Sequence, residues 1–168
     1  MIRPCTAADV PDIFTIVNDA ARAYQRVIPA DRWHEPYMPM EELENEIAAG
    51  VTFWGYADGA QLVGVMGMQP VKDVTLIRHA YVRTENWNHG IGGRLLKHLL
   101  QQIEDSILVG TWEAAGWAVR FYQKHGFQLV AEAEKNRLLA TYWAIPRRQI
   151  ETSVVLAYNR PGLLPAKG

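Results

Sequence analysis

A mixed β-sheet covered by helices, α/β or α+β in class, is what this sequence predicts, and three observations predict it. Apolar and β-rich runs fill the middle of the chain, from Val51 to Arg83. Amphipathic runs at helical spacing lie on either side of them. Strand-like and helix-like segments then alternate toward the C-terminus, which is the element order of a sheet with helices packed on it. At 168 residues the chain fits one domain, expected over 1–158, with a loose tail at 159–168 that holds two prolines and two glycines.

Each element follows from local chemistry. Thr6-Ala7-Ala8-Asp9 resembles a capping box with aspartate in the glutamate position. Behind it Val10, Ile13, Phe14, Val17, Ala21 and Tyr24 recur at helical spacing, which predicts a helix over 7–24. Three prolines (Pro29, Pro36, Pro39) keep 25–39 from forming one regular helix. A short acidic helix from Met40 to Ala49 stops at Gly50. Val51–Ala57 reads as a strand, Asp58-Gly59 as a hairpin turn, and Leu62–Gln69 as the returning strand. Its Gly64 and Gly67 leave room for close approach by another group. Pro70–Asp73 turns the chain, and Val74–Arg83 is a further strand. A helix over Gly90–Glu104, a strand over Ile107–Trp112, a helix over Ala114–His125 and strands over Phe127–Ala131 and Thr152–Tyr158 complete the order. The state of Leu138–Arg148 stays open.

Composition excludes several function classes. The formal net charge is −1, so no general attraction to nucleic acid or to an anionic membrane is expected. No apolar stretch approaches the roughly 20 residues of a membrane span, and no signal-peptide pattern opens the chain. One cysteine, Cys5, excludes an internal disulfide and fits a cytoplasmic setting. The histidines at 34, 79, 89, 98 and 125 lack metal-ligand spacing, so no metal is expected.

The run Asn88-His89-Gly90-Ile91-Gly92-Gly93 reads as a pyrophosphate cradle at a helix start. Amides left unpaired in a first helical turn, together with the helix dipole, bind phosphate oxygens, and glycine lets the backbone come close. Three ligand classes use such loops. A dinucleotide fingerprint would need glycine where Leu95 stands, and a nucleotide P-loop would need Lys-Ser/Thr after its last glycine, where Arg94-Leu95 stand.

The third class is acyl-CoA. Tyr81-Val82-Arg83, four residues, then Asn88-His89-Gly90-Ile91-Gly92-Gly93-Arg94-Leu95-Leu96 resembles motif A of the GNAT superfamily of acyl-CoA-dependent N-acyltransferases. Downstream, Ala118-Val119-Arg120-Phe121-Tyr122-Gln123-Lys124-His125-Gly126-Phe127 resembles that family's A-x-x-F/L-Y-x-K-x-G-F segment. The likeness covers about 1–158 in element order. Three positions depart from it: Trp87 stands where Gln or Arg is usual, Thr84 where proline is common, and Ala115 where asparagine is common.

The resemblance implies the GNAT-type fold, a mostly antiparallel mixed sheet of about seven strands with helices on both faces. It implies acetyl-CoA as co-substrate, bound by backbone groups of Ala80, Tyr81 and Val82 and by the loop from Trp87 through Asn88, His89, Gly90, Ile91, Gly92, Gly93 and Arg94, with Ala118 and Tyr122 alongside. The acceptor it implies is a primary amine of a small molecule or protein. Acyl transfer to an amine needs one proton removed from the ammonium and one supplied to the leaving thiolate. Tyr122 matches the family's general acid, a phenol of pKa near ~10. The family's strand glutamate is replaced by Leu76, which leaves the base open among Glu35, His79 and Glu113, with His34 or a water chain as further candidates. Arg78 either holds a substrate carboxylate or pairs with a helix glutamate. Cys5 lacks a neighbouring histidine and is not expected to carry the acyl group. Trp33, Trp54, Tyr56 and Trp112 are candidates for an aromatic acceptor pocket. Leu138, Leu139, Tyr142, Trp143 and Ile145 are apolar enough to suggest a homodimer. Two other functions remain open: a non-catalytic acyl-CoA-binding module, and an acyltransferase that uses another acyl-CoA.

Overall fold

The computed structural model describes residues 1–143 and 145–158; the expected loose tail, 159–168, lies outside them. The elements are β1 (Ile2–Pro4), α1 (Val10–Ala20), α2 (Met40–Ala48), β2 (Thr52–Asp58), β3 (Gln61–Val71), β4 (Val74–Val82), α3 (Ile91–Gln102), β5 (Ser106–Trp112), α4 (Gly116–Lys124), β6 (Gln128–Leu129), α5 (Glu132–Tyr142), α6 (Arg147–Glu151) and β7 (Ser153–Tyr158). The strands form a seven-stranded mixed sheet in the order β1-β2-β3-β4-β5-β7-β6. Two compact units compose the chain: Met1–Gln69 with Ile77–Gln102, and Pro70–Leu76 with the segment from Ile103 onward.

The first unit buries one face of β2 and β3 under α1 and α2. Phe53 and Val65 pack with Ile13, Ile16 and Val17 of α1 and Leu43 of α2. The opposite face carries α3: Trp54 lies 4.7 Å from the His98 ring, and Arg94 donates to the Tyr56 hydroxyl at 3.0 Å. Alternation along β2 therefore sends successive side chains to two different helix layers. The expected helix 7–24 is broken into a short 3₁₀ turn at Ala7–Asp9, α1, and another 3₁₀ turn at Ala21–Tyr24. The expected cap forms: the Asp9 carboxylate accepts the Thr6 amide at 2.7 Å and is held by Arg3 at 2.8 and 2.9 Å.

Both strand glycines are approached as their sequence suggested. A β-carbon on Gly64 would come within 2.9 Å of Ile91 Cγ2, and one on Gly67 within 2.9 Å of the Arg78 carbonyl. Gly64 thus lets the first residue of α3 sit directly on β3.

In the second unit β7 pairs antiparallel with both β5 and β6. The core joins Val74 and Leu76 to Leu108, Leu138, Leu139, Val155 and Ala157, with Tyr142, Trp143 and Ile145 packed against it. The apolar residues that suggested self-association are thus packed against this unit's own interior. The open segment 138–148 divides between α5 and α6, and the expected strand 127–131 shortens to two residues because Ala131 already begins the entry to α5.

Substitution Gly64→Ala should destabilise the protein by about 1–3 kcal/mol through overpacking against Ile91. Chemical denaturation of the full chain measures it, and an unchanged midpoint contradicts the close approach.

Candidate active site

The glycine loop begins where β4 ends. Asn88 and Gly90 take left-handed backbone (φ 66° and 74°), and Gly90 has nothing within 4 Å of where a β-carbon would stand. Helix α3 opens at Ile91, and its first i to i−4 bond runs from the Arg94 amide to the Gly90 carbonyl at 3.1 Å. The amides of Ile91, Gly92 and Gly93 therefore precede the helical ladder and point outward from its start. This open, glycine-lined turn fits a pyrophosphate: donors face the ligand and no side chain intrudes.

The loop is tied down by groups that the family pattern does not specify. Asp19 on α1 accepts the Thr84 amide at 2.7 Å and the Thr84 hydroxyl at 3.3 Å, and it also pairs with Arg22. Threonine in place of the common proline is thereby explained, since proline has no amide to give. Burial acts to raise the Asp19 carboxyl, but the bonds from Thr84 and Arg22 outweigh it and hold the group below the usual carboxylate range. Arg83 adds two bonds to β3, from its amide to Val63 and from its side chain to Leu62, both at 2.8 Å. Trp87 swings its indole back, and Nε1 donates to the Val82 carbonyl at 2.7 Å while the side chain stays 42% exposed. Trp87 thus anchors the loop to the end of β4 and takes up one acceptor site on a residue expected to serve the cofactor. His89 Nδ1 lies 3.1 Å from the Asn86 carbonyl.

A charged cluster lies on β4 just before Ala80. Arg78 contacts Glu46 of α2 at 2.6 Å and Gln69 at 3.1 Å, so the pairing with a helix glutamate is the arrangement found. The adjacent His79 sits in the left-handed region (φ 54°), and its Nε2 meets the other Glu46 oxygen at 2.7 Å. Burial would raise the Glu46 carboxyl; the His79 hydrogen bond and the charges of His79 and Arg78 instead keep it low. Phe53 stacks on the His79 ring at 6.2 Å. Glu46 was missed by sequence reasoning. It is one of four glutamates in α2, and only its place three residues after Leu43 and beside Ile47 sets it apart.

The remaining expected residues are spread over both units. Glu35 is exposed in the first unit, as is Glu113 in the second. Ala118 is half-buried on α4, while Tyr122 is buried there, its ring 5.1 Å from Phe121 and 5.4 Å from Phe127. Ala115 is fully buried, and its carbonyl accepts the Ala118 and Val119 amides that start α4. Within the first unit, Trp33 does not join Trp54 and Tyr56. Trp33 packs 5.6 Å from Tyr37, which lies 5.8 Å from Tyr24, itself 6.3 Å from Tyr81. Trp54 and Tyr56 face α3 instead, because their alternation on β2 sends them to the other side of the sheet. Burial, then the Asp9 charge, pushes the Cys5 thiol up to about 11, which leaves it a poor nucleophile.

Comparison with known proteins places the chain in a family. Residues 18–141 match the family model of the acetyltransferase (GNAT) domain, and the chain belongs to that family. It is 28% identical over 123 residues to UPF0157 protein YqkA of Bacillus subtilis, which aligns with 71% of this chain but only 35% of that protein, so the chain spans about a third of that relative. Among solved structures, PaiA N-acetyltransferase of Thermoplasma acidophilum in complex with coenzyme A superposes with a TM-score of 0.70 at 15% identity, covering 95% of this chain and 98% of that one. A GNAT acetyltransferase of Elizabethkingia anophelis with acetyl-CoA bound gives a TM-score of 0.62 at 20% identity, over 95% and 97% of the two chains. These likenesses show the fold, and family membership supports acyl transfer from acetyl-CoA in general. Among the described residues no helix is long and apolar enough to cross a membrane.

Replacing Asp19 by Asn should cost about 1–3 kcal/mol, since a part-buried charge-assisted bond to the Thr84 amide weakens. The lowered Asp19 carboxyl contributes stability above the unfolded aspartate value and loses it as pH falls through the folded one. The stability gap between wild-type and D19N chains should therefore begin to shrink below about pH 4 and close only beneath the lowered folded value; equal sensitivity to acid in both contradicts the anchor.

Proposed function

We propose that this protein is an N-acetyltransferase that moves the acetyl group of acetyl-CoA to a primary amine by direct attack. The observation that carries the reading is the loop Asn88–Gly93, an open helix start shaped for a pyrophosphate, in a chain of the GNAT family. Acetyl-CoA supplies the thioester. The amide groups of Ile91, Gly92 and Gly93 hold its pyrophosphate, and the backbone of Ala80, Tyr81 and Val82 serves its pantetheine arm. The amine nitrogen forms a bond to the acetyl carbon as the carbon–sulfur bond breaks. Two protons leave the ammonium nitrogen: one before attack, and a second as the carbon–sulfur bond breaks, which replaces the proton that the Tyr122 hydroxyl gives to the departing thiolate. The Tyr122 ring is buried and packs against Phe121 and Phe127, which helps fix its position.

An amine acceptor arrives as a cation. A depression on α2, lined by Pro39, Glu41, Glu42, Asn45, Glu46 and Ala49, supports a cationic acceptor on the first unit. The single Cys5 keeps a cytoplasmic setting within this reading.

The test is release of free CoA from acetyl-CoA on addition of primary amines: spermidine, tyramine and a peptide with a free N-terminus. Release is expected with at least one of them, and tight acetyl-CoA binding without release would favour a sensing module. Tyr122→Phe should lower turnover by about 10²-fold or more while leaving acetyl-CoA affinity unchanged; undiminished turnover removes Tyr122 from the mechanism. Gly90→Val forces a side chain into a left-handed, open position and should weaken acetyl-CoA binding by about tenfold or more, read by calorimetry.

A further inference from the structure

We infer that His79, held by Glu46, is the base that takes the proton from the acceptor ammonium. The inference rests on the N-acetyltransferase reading and deepens it by assigning the one role that the sequence left open.

Four local features converge on this imidazole. Its Nε2 lies 2.7 Å from Glu46 Oε2, within ion-pair reach, so the carboxylate favours a proton on that nitrogen. The other Glu46 oxygen is held by Arg78 at 2.6 Å, which keeps the carboxylate ionised and fixed in place. With Nε2 committed, Nδ1 is left as the proton acceptor, and among the described residues no protein group hydrogen-bonds to it. The side chain keeps 17% of its surface exposed, so the ring is held on one edge without being sealed off. A carboxylate that fixes the tautomer of a partly exposed imidazole is the arrangement that prepares a histidine to accept a proton.

The backbone is shaped to the same end. A non-glycine residue at φ 54° in mid-strand costs on the order of 1–3 kcal/mol and persists only where its surroundings enforce it. Enforcement is visible here. Gly67, lacking a side chain, lets the Arg78 carbonyl press against β3, and Phe53 supports the ring face. The reversal lies directly before Ala80, where the backbone expected to receive the thioester arm begins. Neither Glu35 nor Glu113 has a comparable setting, since both are exposed.

In the step, one ammonium proton passes to His79 Nδ1 and the freed nitrogen lone pair bonds to the acetyl carbon; as the carbon–sulfur bond breaks, Tyr122 protonates the thiolate and is reprotonated by the second proton from nitrogen. The imidazolium then shares its Nε2 proton with Glu46 and returns the extra proton to solvent. Glu46 acts only through His79 and is a positioning residue.

The test uses the full chain and the same amine panel. His79→Asn removes the base yet suits left-handed backbone, so folding is preserved; thermal unfolding and acetyl-CoA titration check this directly. Expected is a fall in kcat of about 10²–10⁴-fold at neutral pH with acetyl-CoA affinity unchanged, and loss of the acidic limb of the rate profile. Glu46→Gln should lower kcat less and displace that limb, whereas a merely structural role would lower rates evenly at every pH. Imidazole ¹⁵N spectra of the wild type should show the neutral His79 proton on Nε2. Wild-type turnover and an unchanged limb in H79N overturn the inference alone, as does a proton found on Nδ1. If the wild type releases no CoA with any amine, the transferase reading falls and this inference with it.

Discussion

The Asp19 carboxylate holds the Thr84 amide at 2.7 Å, and the geometry of the whole glycine loop hangs from that bond. Strand β4 has just ended at Val82, and the chain must reverse into α3 within eight residues. Left alone, such a turn would sample many paths, and amides in motion bind an anion poorly because their ordering must be offset on binding. Asp19 fixes the start of the turn, the Trp87 indole fixes its middle, and Gly64 lets Ile91 land on β3 at its end. Only then do the amides of Ile91, Gly92 and Gly93 face one point in space.

Much the same economy appears one strand turn earlier. Arg78 and His79 are neighbours in sequence, yet they meet opposite oxygens of a single carboxylate. In an ordinary strand their side chains would point to opposite faces. The left-handed backbone at His79 abolishes that alternation, and Gly67 supplies the space that the distortion needs. One irregular residue therefore brings a cation and an imidazole to the same acid.

The legible part of this molecule was what is local. The glycine run, the strand glycines and the segment around Tyr122 could be read because each carries its chemistry in neighbouring residues. Glu46 could not: it lies 33 positions from His79, among look-alike glutamates, and only the fold chooses it. Asp19 was hidden in the same way, inside a helix whose apolar spacing was all that sequence offered. Helix α5 was unreadable for another reason. Its buried residues include the adjacent pair Leu138 and Leu139, together with Lys135, whose ammonium reaches the Ile150 carbonyl at 3.1 Å. These positions do fall at helical spacing, but a lysine at one of them reads as polar in sequence, so the apolar stripe looks too short to settle the period.

The two compact units interleave along the chain. Residues Pro70–Leu76 belong with the segment that begins at Ile103, although 26 residues of the other unit, Ile77–Gln102, intervene. The turn between β3 and β4 is fastened to the end of α5 by Lys72, which donates to the Thr141 carbonyl at 3.1 Å, and by Asp73, which accepts the Tyr142 hydroxyl at 2.5 Å. These bonds close loops of 69 residues. Contacts so distant in sequence make assembly slow relative to that of a helical bundle, since loop-closure entropy is lost before they form. They also mean that the second unit is not a contiguous piece of polypeptide. A ribosome that has released everything through Gln102 has already made seven of its residues, which must wait for the remainder of the chain before their own partners exist.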